Sequence, residues 1–329
     1  MKRLKNLFFA LALCAPLTVV AQDIEINAEN FPDENFRNYL LKQRYGTDGM
    51  ITEAEIKGVT YIDVDRKSIS NLKGIEHFTA LTELYCSYNQ LTVLDVSNNT
   101  ALKSLYCYNN QFTALDVSKN TALTILSCAS NQLTALDVSK NTALIELSCG
   151  GNPLTALDVS NNTALKILSC GACKLTELDV SKNTALTSIV CSSNQLTTLD
   201  VSNNTALRTL GCYNNQIKGE GMDALISSLP QNETSYTCDL LVYYDDGNDG
   251  NICTKSQVAA AKAKGWTIYY YDYWWSRHEY EGVDDETTAI ALPVLKTDAE
   301  AIYTLHGQKV TTPQKGGIYI VNGKKVVVK

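Results

Sequence analysis

One phrase of 21 residues recurs seven times between Leu81 and Asn215 with almost no drift in length. The copy from Ala101 to Thr121 reads A-L-K-S-L-Y-C-Y-N-N-Q-F-T-A-L-D-V-S-K-N-T. Leucines open the copies at Leu81, Leu102, Leu123, Leu144, Leu165, Leu186 and Leu207, and cysteines follow in step at Cys86, Cys107, Cys128, Cys149, Cys170, Cys191 and Cys212. A fixed period of this size predicts a solenoid, because each unit buries its apolar wedge only against the next.

Within a unit, Leu105 and Cys107 alternate with Ser104, Tyr106 and Tyr108. A short strand would point the first pair inward and the other three outward. Asn89, Asn110, Asn131, Asn152, Asn194 and Asn215 mark the turn leaving the strand. An inward amide there can bond the main chain of its own and the next coil. Cys173 takes that place once. Leu115 and Val117 return to the core after the turn, as do Leu94 with Val96 and Leu136 with Val138. Strands stacked about 4.8 Å apart would carry the seven copies over roughly 30 Å of continuous parallel sheet.

The ladder cysteines predict free, buried thiols. In-register neighbours on parallel strands hold their Cβ atoms at the strand spacing, longer than the roughly 3.8 Å a disulfide wants, and an odd number cannot pair completely. Small hydrophobes is the role that remains. Cys170 and Cys173 form a C-x-x-C with no second set, which is weak ground for zinc or redox chemistry.

Together, L-x-x-L-x-C-x-x-N-x-L and the L-D-V-S-x-N-T phrase resemble the cysteine-ladder leucine-rich repeats of internalin J-like bacterial surface proteins, over roughly residues 59–217. That resemblance implies an α/β-type solenoid with its parallel sheet on the concave face, and a surface binding or adhesion module without catalysis. None of the repeat-defining residues chooses a ligand.

At the start, residues 1–21 read as a secretory signal peptide: Lys2, Arg3 and Lys5, the apolar run Leu7 to Leu13, and Val19-Val20-Ala21 before Gln22. No later apolar run approaches the roughly 20 residues that span a bilayer. Residues 22–58 predict a helical cap, with Phe36, Tyr39 and Leu40 on one face and a Thr52 to Glu55 capping box. Asp48 to Glu55 resembles half an EF-hand, yet Arg44 and Gly46 stand where acidic ligands belong, so a plain cap is expected. Val64 precedes Cys86 by 22 residues and would take the ladder position in a degenerate first coil.

Past Asn215 the repeat fades into an α+β cap, residues 218–275. Its signals are a helix from Met222 to Leu229, strands near Tyr236–Tyr244 and Trp266–Tyr271, and a Thr254 to Gln257 capping box stopped at Gly265. The aromatic run Tyr269 to Trp275 reads as core of this cap. Cys238 and Cys253 lie outside the ladder, and the sequence leaves a disulfide between them open. Residues 276–297 turn acidic and aperiodic and read as a linker. Residues 298–329 hold three expected strands with L-x-G-x-x-V, G-I-Y and a terminal G-K-K-V-V-V-K. That tail resembles the C-terminal sorting domain of type IX secretion, which implies that machinery as a partner and a place outside the cell or on its surface.

The formal charge of −7 makes nucleic acid a poor partner. His77, His278 and His306 are scattered, with no nucleophile at recognisable spacing, and nothing asks for a cofactor. Carboxylates at Asp95, Asp116, Asp137, Asp158, Asp179 and Asp200 predict an outward column, stabilised by turn hydroxyls such as Ser97 in preference to a bound cation. An enzyme reading would rest on Asp245, Asp246, Asp249 and Asp272; a third reading is a ligand-free envelope spacer. Recognition has better material. The concave face should show Glu83, Tyr85 and Ser87, then Tyr106 and Tyr108, and at the far end Tyr213, with Tyr88 nearby. Exposed tyrosines beside small residues suit a contact patch for an extracellular protein or glycan.

Overall fold

The computed structural model describes residues 23–232, 238–245, 247–272, 274–285 and four strands of the tail. Strand β1 (Ile24–Glu25) pairs antiparallel with β2 (Met50–Ile51), and helices α1 (Glu34–Leu40) and α2 (Glu53–Gly58) complete the N-terminal cap. Asp33 caps α1 by accepting from Phe36 N, and its other oxygen accepts from Ser70, which ties the cap to the first coil. Phe36 and Leu40 are fully buried. The Thr52–Glu55 capping box forms as expected. Glu55, where an EF-hand would place its bidentate ligand, uses its carboxylate on Thr52.

From there the chain coils. Strands β3 (Tyr61–Asp63), β4 (Glu83–Tyr85), β5 (Ser104–Tyr106), β6 (Ile125–Ser127), β7 (Glu146–Ser148), β8 (Ile167–Ser169), β9 (Ser188–Val190) and β10 (Thr209–Gly211) form one parallel ladder in strict register. Ile62 pairs with Leu84, so Val64 does head the cysteine column. Every ladder cysteine is fully buried and free.

Two columns of asparagine hold the coils together. Asn110 Nδ2 donates to Cys107 O in its own coil and Cys86 O in the preceding one, while its Oδ1 accepts from Leu91 N. The neighbour it bonds is thus the previous coil, not the next. On the opposite side, Asn120 Nδ2 donates to Val96 O and Asn99 O, and Asn99, Asn141, Asn162, Asn183 and Asn204 repeat this type of bond. These side chains are fully buried. Their amides satisfy carbonyls that a tight inter-strand turn would otherwise strand in the core.

Beyond β10 comes α3 (Glu220–Ser228), and the sheet does not stop there. β11 (Cys238–Tyr244) and β12 (Trp266–Tyr271) continue it in parallel, joined by α4 (Lys255–Ala263) with its Thr254–Gln257 capping box. Gly265 takes the left-handed conformation that ends α4, at φ +81°. β13 (Arg277–Glu279) then closes an 11-stranded sheet antiparallel to β12. The cap is therefore the last part of the same sheet. The stretch expected to open a linker at residue 276 instead forms β13, because Arg277 lies over the Tyr269 ring and bonds Asp239 across two strands. Those partners lie too far off in sequence for local composition to show them.

Cys238 and Cys253 do not pair; both thiols are free. Cys238 opens β11, whereas Cys253 follows the turn beyond that strand's far end, and seven extended residues separate the two ends by roughly 20 Å. The tail makes four strands where three were expected: β14 (Ile302–Thr304), β15 (Lys309–Val310), β16 (Ile318–Val321) and β17 (Lys324–Val327), in the antiparallel order β15-β14-β16-β17. The signal peptide, most of the linker, and Leu305, His306 and Gly317 of the tail motifs lie outside the described residues.

Candidate functional site

The parallel register turns the first and third residue of each strand outward, so the concave surface follows directly from the coil. Tyr85 and Tyr106 occupy facing third positions on β4 and β5, and their rings stack at 4.6 Å with 13° between planes. Tyr61, on the degenerate first coil, joins them at 5.4 Å. The hydroxyls face acids: Tyr85 donates to Glu83 at 3.4 Å and Tyr61 to Asp63 at 3.3 Å. Burial first, then neighbouring rings and the Glu83 carboxylate, push the Tyr85 hydroxyl above its ordinary value. Tyr106 rises by burial and by Glu146 and Glu83. Both hydroxyls therefore stay protonated and able to donate at neutral pH.

Tyr88, Tyr108 and Tyr213 sit elsewhere, on the rim where the chain leaves each strand. Tyr88 and Tyr108 meet edge to face at 5.2 Å, with the Arg66 guanidinium 3.6 Å from the centre of the Tyr88 ring. Ser87, expected outward, is fully buried, its N–H bonded to Asp65 of the preceding coil. The cause is a sharp bend two residues after each ladder position, where Arg66, Tyr88, Asn109, Ser130, Gly151, Ala172, Ser193 and Asn214 all have φ between +53° and +68°. Only one of them is glycine.

At the other end, Tyr213 meets Tyr244 at 6.0 Å, Tyr271 at 5.7 Å and Trp275 at 6.4 Å. Tyr108 and Tyr213 are five coils apart, roughly 24 Å. Between them the rim carries Ala129, Gly150, Gly171 and Ser192, and the strand row carries Ser127, Ser148, Ser169 and Val190. A Cβ on Gly150 would lie 2.6 Å from Gly171 O, so this glycine allows the coils to approach. The result is a surface with aromatic groups at its two ends and, between them, small side chains on the rim and third-position row beside a first-position row of Ile125, Glu146, Ile167 and Ser188. Tyr61, Arg66, Tyr244 and Tyr271 were not legible as members. Tyr61 could have been found by carrying the ladder register back to Val64. The run to Trp275, expected as cap core, surfaces: Trp274 is 80% and Trp275 60% exposed, while Trp266 is the tryptophan that packs inside.

Carboxylates proposed for catalysis are occupied structurally or lie apart. Asp249 accepts from the N–H groups of Asn214, Tyr244 and Asn251, which fastens the loop it belongs to; burial raises its carboxyl above the usual range against those bonds. Asp272 takes a bond from His278 at 2.9 Å, which with turn N–H groups holds it low. His77 packs edge-on against Phe31. Asp246 and His306 lie outside the described residues. On the convex side, the Asp95 to Asp200 column forms as expected, each carboxylate accepting from the serine two residues on. Bonds from Ser118 hold Asp116 low despite its neighbour Asp137. Three of these aspartates and Lys182 border an open groove of about 540 Å³. Among the described residues no cluster of three or more His, Cys, Asp or Glu could hold a metal ion. Burial pushes the ladder thiols up, to about 12 for Cys128 and well above the ordinary value for Cys107, Cys149, Cys170 and Cys191, so they are neutral packing groups.

Known proteins agree with this geometry. A family model described as leucine-rich repeats in two copies matches residues 79–120, and an LVIVD repeat model matches residues 178–215. Internalin J of Listeria monocytogenes serotype 4b (strain F2365) is 45% identical over 71 residues, which are 21% of this chain and 8% of that protein. The functional domain of InlJ from Listeria monocytogenes, which includes a cysteine ladder, superposes with a TM-score of 0.61 at 34% identity, over 74% of this chain and 55% of that one. An internalin C2 from Listeria monocytogenes strain 4b F2365 shares the fold alone, with a TM-score of 0.51 at 18% identity, over 76% of this chain and 98% of that one. The chain thus spans about half the internalin J domain and a small fraction of the whole relative.

Proposed function

We propose that this chain, a leucine-rich-repeat solenoid with a cysteine ladder closely similar to that of internalin J, is a secreted or surface-displayed binding protein that holds an extracellular protein or glycan on its concave sheet. One observation carries the reading: the register gathers Tyr61, Tyr85 and Tyr106 into one aromatic cluster, Tyr85 and Tyr106 stacked and Tyr61 tilted against them, beside an open surface with rows of small residues. Tyrosine offers a large contact area, low conformational entropy and a polar tip, which is what recognition surfaces use. Glu83 and Asp63 orient the hydroxyls toward donors on a partner. No catalytic role is assigned to any residue. Export rests on the leader at residues 1–21 and on the tail's likeness to type IX sorting domains, with that machinery as the proposed route.

The test is binding of the full chain to a panel of glycans and surface proteins, beside the Tyr85→Ala, Tyr106→Ala double variant. Loss of binding with little change in melting temperature supports the concave face. Unchanged binding removes it.

A further inference from the structure

We infer that the β12–β13 hairpin carries a carbohydrate-stacking site, formed by Trp275 against Tyr213, Tyr244 and Tyr271 with the exposed Trp274 beside it, that takes neutral glycans. The inference builds on the binding role proposed above and names a ligand class for one end of the sheet. Its residues are not those of the tyrosine stack on β3 to β5, so the two fail separately.

The hairpin is built to lift indoles out of the core. Asp272 Oδ1 accepts from Trp274 N at 2.9 Å and Ser276 N at 2.8 Å, Asp272 O accepts from Trp275 N, and Asp272 Oδ2 is fastened to His278 Nε2. That clamp holds Trp275 at φ +60°, a conformation a bulky side chain rarely adopts. Glycine would close the same turn without strain. Instead a tryptophan stands there with 60% of its surface open, next to another at 80%. Strain that positions an exposed aromatic group, and fills no core, points to use of its surface.

Underneath, Trp275 leans on Tyr244 at 4.9 Å and 33°, on Tyr271 at 5.7 Å and on Tyr213 at 6.4 Å. The indole is thereby backed by aromatic rings from three strands or turns and cannot fold away. A pyranose ring presents a face of C–H groups that packs on the negative face of an aromatic ring, and hydroxyls around its edge that need acceptors and donors. Ser276 and Arg277 follow Trp275 in the same turn, and Arg277, paired with Tyr271 across the hairpin, stands on the platform's face, while His278 pairs with Tyr270 on the other face and holds the Asp272 clamp from behind. Charge selects among sugars. Asp245, Asp249 and Asp272 lie around the cluster, and Arg277 is matched to Asp239 as His278 is to Asp272, so polyanionic glycans meet no free cation in these pairs. A protein anchor would sit in an apolar, water-excluding surround; this platform's surround is polar.

Intrinsic fluorescence reads the site, because Trp266 is buried with its Nε1 on Pro230 O and contributes a steady background. The full chain is titrated with cellohexaose, chitohexaose, mannohexaose and xylohexaose, with heparin as the polyanion, and the titration is repeated for Trp275→Gly, Trp274→Ala and the Tyr85→Ala, Tyr106→Ala double variant. Expected is an emission shift with at least one neutral hexasaccharide and none with heparin. Trp275→Gly should weaken that binding about tenfold or more, as loss of a stacking ring predicts, and keep or raise the melting temperature. No response to any neutral hexasaccharide at millimolar concentration overturns the proposal, as does unaltered binding in both tryptophan variants. Loss of a protein partner in Trp275→Gly with no glycan response would make the platform a protein anchor, which also overturns it. A glycan response that depends on Trp275 and not on Tyr85 and Tyr106 upholds the platform while the concave-face reading falls; the reverse dependence does the opposite.

Discussion

The repeat body and the C-terminal cap use one geometry with different residues. In the body, Asn215 Nδ2 bonds Cys191 O and Cys212 O while its Oδ1 accepts from Leu196 N. In the cap, Asn251 makes the same three bonds, to Cys212 O, Val242 O and Ile217 N. Yet Asn251 follows Val242 by nine residues, where Asn215 follows Cys212 by three. The intervening acidic loop bulges outward, fastened by Asp249, and Val242 takes the cysteine's place in the column. What the coil requires is therefore a small apolar group and an inward amide at fixed points in space. Spacing along the chain is free to change wherever a loop can leave and return, and it is there that the exposed aromatic groups gather.

Breaking the amide on each side of this comparison should give the largest effects. Asn152→Ala in the body removes four hydrogen bonds, one of them long, and Asn251→Ala in the cap removes three; both leave buried carbonyls bare, so each should cost about 3 kcal/mol or more in urea unfolding. A near-neutral Asn251→Ala would show that the cap does not continue the column. The cysteine position sharpens it next. Cys149→Ser places a hydroxyl where burial is complete and should cost about 1–3 kcal/mol, more than Cys149→Val, since Val242 shows that valine fits the row in the cap. Equal melting temperatures for the two would contradict a dry interior.

Smaller effects come from carboxylates. Burial acts to raise the Asp33 carboxyl, but bonds from Ser70, Phe36 and Asn71 outweigh it and leave its folded value depressed. Its contribution is then present above the unfolded value near 4 and lost as pH falls through the folded value. The melting temperature of wild type should exceed that of Asp33→Asn at pH 6, and the gap should close below about pH 4. Least of all, Asp116→Asn on the convex column should leave the melting temperature unchanged with or without calcium, because an amide oxygen can still accept from Ser118 N. A calcium-dependent rise in wild type that this substitution removes would assign the column a metal.

Much of this was legible because a period states where each residue goes. The inward cysteines, Val64 at the head of their column and both capping boxes follow from spacing alone. The second asparagine column did not, because an S-x-N-T turn reads as a solvated loop until the coils are stacked and Asn120 is seen bonding the preceding coil. β11 and β12 were visible as strands, but their place in the main sheet depends on pairing Cys238 with Trp266, 28 residues away, which no local pattern carries. Part of the site was placed on the wrong surface for a similar reason. Tyr108 and Tyr213 fit the alternation of a strand, and a left-handed bend at the next residue carries the chain off that strand onto the rim, where Tyr88, itself at such a bend, also lies. Trp274 and Trp275 follow an apolar run and read as core by composition, whereas hydrogen bonds to Asp272 turn them out.

Everything functional stands on the buried file of sulfur that keeps the coils in register, and a thiol count tests it most directly. The full chain is treated with a small water-soluble disulfide reagent, first folded and then unfolded in the absence of reductant. Ten of the eleven cysteines lie between residues 86 and 253, all ten free and nine of them buried, so among these Cys173 should react first, the other nine slowly, and all ten on unfolding, with Cys14 of the leader counted besides wherever the leader is retained. Thiols missing after unfolding would mean bridges, and prompt reaction of several in the folded chain would mean sulfur facing solvent; either result contradicts the register from which the aromatic surfaces are placed.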